Sequence, residues 1–175
     1  MPPAIIKMSL KEQIQVDVKE ALKAHDSNKR VVLGSLLSAM KNRELEKRSK
    51  LSKAGTTGDL AAGSQLTDEE ALEVVGSEIK KRKESIETYA KGGRPELAAS
   101  EKSELNLLMQ YLPEQLSEDE VRTYVKSAIS EVNPQGIKDM GKVIGAVMPH
   151  VKGKTDGQTV SRIVKEELEN ASAHA

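Results

Sequence analysis

Four segments of this chain share one pattern, a Ser or Thr followed three residues later by Glu or Gln: Ser9-Leu10-Lys11-Glu12, Thr67-Asp68-Glu69-Glu70, Ser117-Glu118-Asp119-Glu120 and Thr155-Asp156-Gly157-Gln158. In such a capping box the hydroxyl accepts from a backbone N–H in the first helical turn while the acid or amide reaches back to the N–H of the cap, so each segment marks where a helix begins. Apolar residues then recur at helical spacing: Leu10, Ile14, Val18 and Leu22; Leu72, Val75, Ile79 and Ile86; Val121, Val125, Ala128, Ile129 and Val132; Val160, Ile163, Val164 and Leu168. Three further helices show the period without the box. Asp26 or Ser27 caps one over residues 29–48, with Leu33, Leu36, Leu37 and Met40 inward. Pro95 suits the first position of a second that ends before Pro113, with Leu97, Leu105, Leu108 and Leu112 inward. The third covers residues 138–148, with Met140, Val143, Ile144 and Val147 inward. No segment alternates as a strand does, and the expectation is an all-α protein.

Two joints divide the chain. Residues 49–66, "SKLSKAGTTGDLAAGSQL", are rich in Gly, Ser, Thr and Ala without periodicity and read as a flexible loop. "YLPEQLS", residues 111–117, places a proline before a new cap and so ends one helix and starts another. The expected organisation is a four-helix N-terminal domain over residues 1–112 and a three-helix C-terminal tail domain over 113–175. With no Phe or Trp and only three Tyr, the core must be aliphatic. The absence of Cys excludes disulfides, cysteine nucleophiles and thiolate metal sites. "MPPAIIKM" is too short and too weakly apolar for a signal peptide, and no later run could span a bilayer, which points away from membranes and to the cytoplasm, or an organellar matrix in a eukaryotic host.

The formal charge is zero but unevenly spread. Residues 29–53 carry eight Lys or Arg against Glu44 and Glu46, and residues 122–165 carry eight against Glu131, Asp139 and Asp156. Residues 67–120 compensate with fourteen acids against seven bases. Within the second basic zone, Gly153-Lys154-Thr155 matches the end of a phosphate-binding loop, but that loop needs a glycine with four residues between it and Gly153, where Met148 stands, and a strand leading in. A nucleotide loop is excluded, and Thr155 reads as a helix cap.

"IKKRKESIETYAKGGRPELAASEKSELNLLMQYLPEQLSEDE", followed by "GIKDMGKVIGAVMPHVKGKTDGQTVSRIVKEEL", resembles the YqeY family, stand-alone relatives of the tail of the GatB subunit of glutamyl- and aspartyl-tRNA amidotransferase. The resemblance runs from about Ser9 to the end, and the pairing of the "YLPEQLS" break with the "KDMGKVIG" helix carries it. It implies an all-helical protein with a larger N-terminal domain and a three-helix tail, and a tail that holds tRNA. It also implies amidotransferase subunits or an aminoacyl-tRNA synthetase as partners, with no DNA. The loop over 49–66 is longer than the family needs.

The residues themselves offer little chemistry. A glutaminase of the amidase type needs a Ser-Ser-Lys constellation, which the one Gly/Ser-rich segment does not supply. His25, His150 and His174 lie far apart without a nucleophile motif. No His/Asp/Glu cluster has metal-ligand spacing, so neither metal nor cofactor is expected. The informative feature is a stripe. Lys138, Gly141, Lys142 and Gly145 stand at i, i+3, i+4 and i+7, opposite Met140, Val143, Ile144 and Val147. An interior helical glycine costs roughly 1 kcal/mol relative to alanine, so the stripe wants a reason. Either a neighbouring helix packs closely there, or a sugar-phosphate backbone approaches while the lysines neutralise phosphates. Lys152 and Lys154 in the following turn, and Arg162 and Lys165 on the polar face of the last helix, extend the candidate nucleic-acid surface. Lys80 to Lys83, "KKRK", cannot form one patch, because four successive helical residues point in all directions. Three readings stand at this level: a non-catalytic tRNA-binding adaptor, a carbon-nitrogen ligase activity with glutamine as amido-N-donor or an accessory to it, and a protein-interaction module.

Overall fold

The computed structural model describes residues 8–173; the opening "MPPAIIK" and the terminal His174 and Ala175, with the readings made of them, lie outside the described residues. The fold is all-α, with eight α-helices and no strand among the described residues. The chain divides into two compact units, Met1–Leu112 and Pro113–Ala175.

The first unit holds α1 (Leu10–Lys23), α2 (Ser27–Lys53), α3 (Leu60–Gly63), α4 (Asp68–Lys91) and α5 (Pro95–Met109). Ser9 and Thr67 each form a complete capping box, and Pro95 occupies the first turn of α5. Ile14, Val32, Leu33, Leu36, Met40, Val75, Ile79 and Leu108 make the core. Leu22 was expected inward but is 57% exposed; Ala21 takes the buried position, because 3.6 residues per turn carry the stripe from Ile14 to position 21 rather than 22. The "KKRK" run is dispersed as its helical phase requires. Lys81 turns to Glu78 at 2.7 Å, while Arg82 meets Glu104 at 2.9 Å and Glu101 at 3.4 Å and so ties α4 to α5.

The segment over residues 49–66 departs from the expected loop. α2 continues through Lys53, since nothing before the left-handed Gly55 (φ +70) interrupts helical backbone. Asp59 then caps the single turn of α3 by accepting from the N–H groups of Ala61 and Ala62. This extra turn is why the unit has five helices where four were expected. The far end of the segment is tied down: the Leu66 N–H donates to Glu44 at 3.4 Å, and Lys47 Nζ donates to the Gln65 carbonyl at 3.1 Å. Glu44 is itself a buried acid, with Lys11 Nζ at 2.6 Å and Lys41 Nζ at 3.8 Å. Burial pushes its carboxyl up, but the Lys11 hydrogen bond and charge, the Leu66 amide and the Lys41 charge outweigh that, and the net shift is downward.

The second unit holds α6 (Glu118–Val132), a 3-10 turn at Ile137–Asp139, α7 (Met140–Val151) and α8 (Gly157–Ala173), packed pairwise around Val121, Val125, Val143, Val147, Val151, Val160, Ile163, Val164 and Leu168. Ser117 completes the capping box of α6. At α8 the expected cap is displaced by one residue. The helix begins at Gly157, and Asp156 rather than Thr155 accepts from the N–H of Thr159 at 2.8 Å while Thr159 Oγ1 donates to its second oxygen at 2.9 Å. Aspartate is the stronger cap, and here it has two donors.

Candidate nucleic-acid interface

α7 positions the centre of the candidate surface. Val143, Val147 and Val151 are buried and Met140 and Ile144 are half-buried, so Gly141, Lys142 and Gly145 are left on the outer face. A Cβ added at Gly141 or at Gly145 would meet no atom within 4 Å. Close packing by a neighbouring helix of this unit is therefore not what the glycines serve. Pro149 lies in the last turn and has no N–H for the Gly145 carbonyl, so the regular i→i−4 bond is missing beneath this bare surface. Lys138, expected on the same helical stripe, sits instead in the 3-10 turn before α7, where the advance per residue is larger. It is exposed.

Lys142 is 72% exposed and its Nζ lies 2.7 Å from Asp139 Oδ1, while Asp139 Oδ2 accepts from the Gln135 N–H at 2.9 Å. The Lys142 ammonium, then the Gln135 amide, hold the Asp139 carboxyl below the usual carboxylate range. The Lys142 ammonium is the exposed partner of this pair and Asp139 the more covered one.

The turn after α7 is clamped by the "YLPEQLS" segment. Gln115 Nε2 donates to the Gly153 carbonyl at 2.9 Å and the Leu116 N–H to the Lys154 carbonyl at 2.8 Å, with Gly153 at φ +75. Lys152 is exposed and Lys154 half-buried. The N–H groups at the start of a helix such as α8 favour an anion. They already hold one of the chain's own, the Asp156 carboxylate.

Arg162 and Lys165 sit differently from expectation. Arg162 donates to Glu118 at 2.6 Å and to Glu166 at 2.9 Å; Arg122 donates to Glu166 at 2.8 Å and also pairs with Glu167. This alternation of carboxylates and guanidinium groups fastens α8 to α6. Glu118 foremost raises the Arg162 guanidinium, and Arg122 foremost lowers the Glu166 carboxyl. Lys165 approaches Glu169 at 3.9 Å and Lys126 approaches Glu167 at 3.9 Å. The basic count over residues 122–165 stops just short of Glu166, Glu167 and Glu169, the acids that the fold sets against it. Among the described residues, Lys138 and Lys154 are the candidate cations without a carboxylate partner.

One pair in this unit was not foreseen from the sequence. Tyr124 of α6 and His150 of α7 stack with ring centroids 5.8 Å apart and planes 11° from parallel. Both rings are exposed. The signal was the rarity of aromatic residues in this chain, but nothing local links the two positions.

The fold defines a two-unit helical protein whose tail carries an uncovered, lysine-edged helix face. The chain belongs to the family described as Yqey-like protein, matched over residues 11–168. An uncharacterized protein of Schizosaccharomyces pombe is 37% identical over 90 residues, 50% of this chain and 73% of that protein. Altered inheritance of mitochondria protein 41 of Lachancea thermotolerans is 31% identical over 122 residues, 68% of this chain and 57% of that protein. An aspartyl/glutamyl-tRNA(Asn/Gln) amidotransferase subunit of Thermoanaerobacter pseudethanolicus is 34% identical over 90 residues, 47% of this chain and 17% of that protein. The chain thus spans about half the length of the mitochondrial relatives and a small part of the amidotransferase relative. Among the described residues, no helix is long and apolar enough to cross a membrane.

Proposed function

We propose that the chain is a non-catalytic helical adaptor of the YqeY type whose tail unit holds tRNA by its sugar-phosphate backbone. The observation that carries the reading is the uncovered face of α7. Gly145 costs helix stability, and no group of this unit uses the bare surface it leaves. A phosphodiester strand can approach such a surface more closely than any side chain would allow, with Lys142 on the same face to neutralise a phosphate. Lys138 precedes α7, and Lys152 and Lys154 follow it, at the two ends of a helix roughly 18 Å long at 1.5 Å per residue. Arg162 contributes less, being engaged with two carboxylates, one of them across to α6. The likeness to a protein named as part of a tRNA amidotransferase supports tRNA as the ligand and that enzyme as a neighbour. The cytoplasm is the setting we propose, and relatives named as mitochondrial support an organellar matrix as the other.

The test is fluorescence anisotropy with unfractionated tRNA across a salt series, comparing the wild type with the double variant Lys142→Ala, Lys154→Ala. The variant should bind more weakly, and its log–log salt slope should flatten by roughly 0.7–0.9 for each lost phosphate contact. Unchanged affinity and slope would sink the RNA reading and leave the protein-interaction module as the better one. Glutamine hydrolysis by the purified chain, abolished by one defined substitution, would instead establish the ligase-type activity.

A further inference from the structure

We infer that the stacked Tyr124–His150 pair is a platform on which an unpaired nucleobase docks, giving the tail unit a preference for single-stranded parts of its RNA. The inference rests on the RNA reading above and adds a contact of different chemistry to it. The two rings lie nearly parallel, at 11° and 5.8 Å, on different helices of one packed unit. Tyr124 stands beside Val125 and between Val121 and Ala128, all buried, and His150 stands beside the buried Val151, three residues after the buried Val147. The stack joins one exposed ring from each helix into a single surface.

Its exposure is unusual for this chain. Tyr111 is buried and donates its hydroxyl to Asp17, whereas Tyr124 is 36% exposed and no hydrogen bond from its hydroxyl is found among the described residues. Flat exposed rings accept bases because every base has a π face, and unstacked RNA bases are recognised on aromatic and histidine rings in this way. Along their own helices few carboxylates stand near the two rings. On α6 the only carboxylate within about one turn of Tyr124 is Glu120, committed to the Ser117 capping box, and none lies within one turn of His150 along its own helix. On α7 the row His150, Ala146, Lys142 runs at four-residue spacing back to the lysine of the bare face, about 12 Å along the axis. One strand can therefore reach the platform with a base and Lys142 with a phosphate.

The experiment measures binding of tRNA, and of a short single-stranded RNA against the same RNA in a duplex, for wild type, Tyr124→Leu, His150→Leu and Tyr124→Trp. Removing either ring should weaken single-strand binding about tenfold, leave the salt slope unchanged, and barely affect the duplex; Tyr124→Trp should restore or improve binding. Circular dichroism of each variant confirms that the fold is retained. If tRNA binding depends on Lys142 and Lys154 but is indifferent to both leucine variants, the platform is wrong and the RNA reading stands. If the wild type binds no RNA at all, both fall.

Discussion

At Gly145 the helix carries a defect with no compensation inside its own unit. Because a Cβ there meets no atom within 4 Å, Gly145→Ala should stabilise the tail by about 1 kcal/mol, read as a rise in the midpoint of chemical denaturation. A destabilised variant would mean that something unaccounted for lies against this face. The larger Gly145→Leu should keep the fold and lower tRNA affinity, separating the stability role from the binding role at one residue. That Gly141, Lys142 and Gly145 share a face was legible in the sequence because it follows from helical phase alone, whereas Lys138 falls in the 3-10 turn before the helix. What the residues could not reveal is whether the stripe was covered, since that depends on where the other helices lie. Arg162 illustrates the same limit: its partner Glu118 is remote in sequence, and no local pattern announces the pair.

The helix termini are the elements on which the chain depends most visibly. Ser9, Thr67 and Ser117 hold Glu12, Glu70 and Glu120 in reciprocal boxes, and each of these carboxyls sits below its ordinary value of 4.5. The Ser9 and Ser117 amides are the first cause at Glu12 and Glu120, and the Lys47 hydrogen bond is the first at Glu70. A carboxyl depressed in the folded state stabilises fully above its unfolded value and loses that contribution as the pH falls through the folded one. Thermal melts should therefore decline as pH drops below about 4.5, and the triple variant Glu12→Gln, Glu70→Gln, Glu120→Gln should show a shallower decline. An equally steep decline would place the acid sensitivity elsewhere. Three boxes formed as their spacing required, whereas the fourth was contested by two adjacent capping residues, Thr155 and Asp156, and the better acceptor won. The segment over residues 49–66 shows what composition alone misses. Its glycines and serines read as loop, yet tethering by Glu44 and Lys47 orders the end of it, and the continuous run that is both exposed and outside helices is confined to residues 54–59. Limited digestion with a broad-specificity protease should cut first within 54–59. A first cut between Gly63 and Leu66 would contradict the tethering.

On the scale of the molecule, the two units have separate cores that share no residue. We expect them to unfold separately. Ile163→Ala, at a fully buried site of the tail core, should destabilise that unit by about 2–5 kcal/mol and split the calorimetric trace, leaving the transition of the first unit in place. A single transition that shifts as a whole would show that the units fold as one. The sequence by itself determined that this protein is all helix, where most helices begin and which faces are apolar, and it carried enough of the family pattern to reveal kinship. Those are local properties, set by capping chemistry and by a period of 3.6 residues, and they need no knowledge of neighbours. The tertiary structure alone decided which charges survive as surface charge, because Arg122 meets Glu166 and Glu167, and Arg162 meets Glu118, only once α8 lies along α6. It alone decided that Gly145 faces open space and that Tyr124 lies on His150. Contacts of this kind depend on how packed cores fix the rotation and offset of whole helices, a sum over many weak interactions that no short stretch of chain encodes.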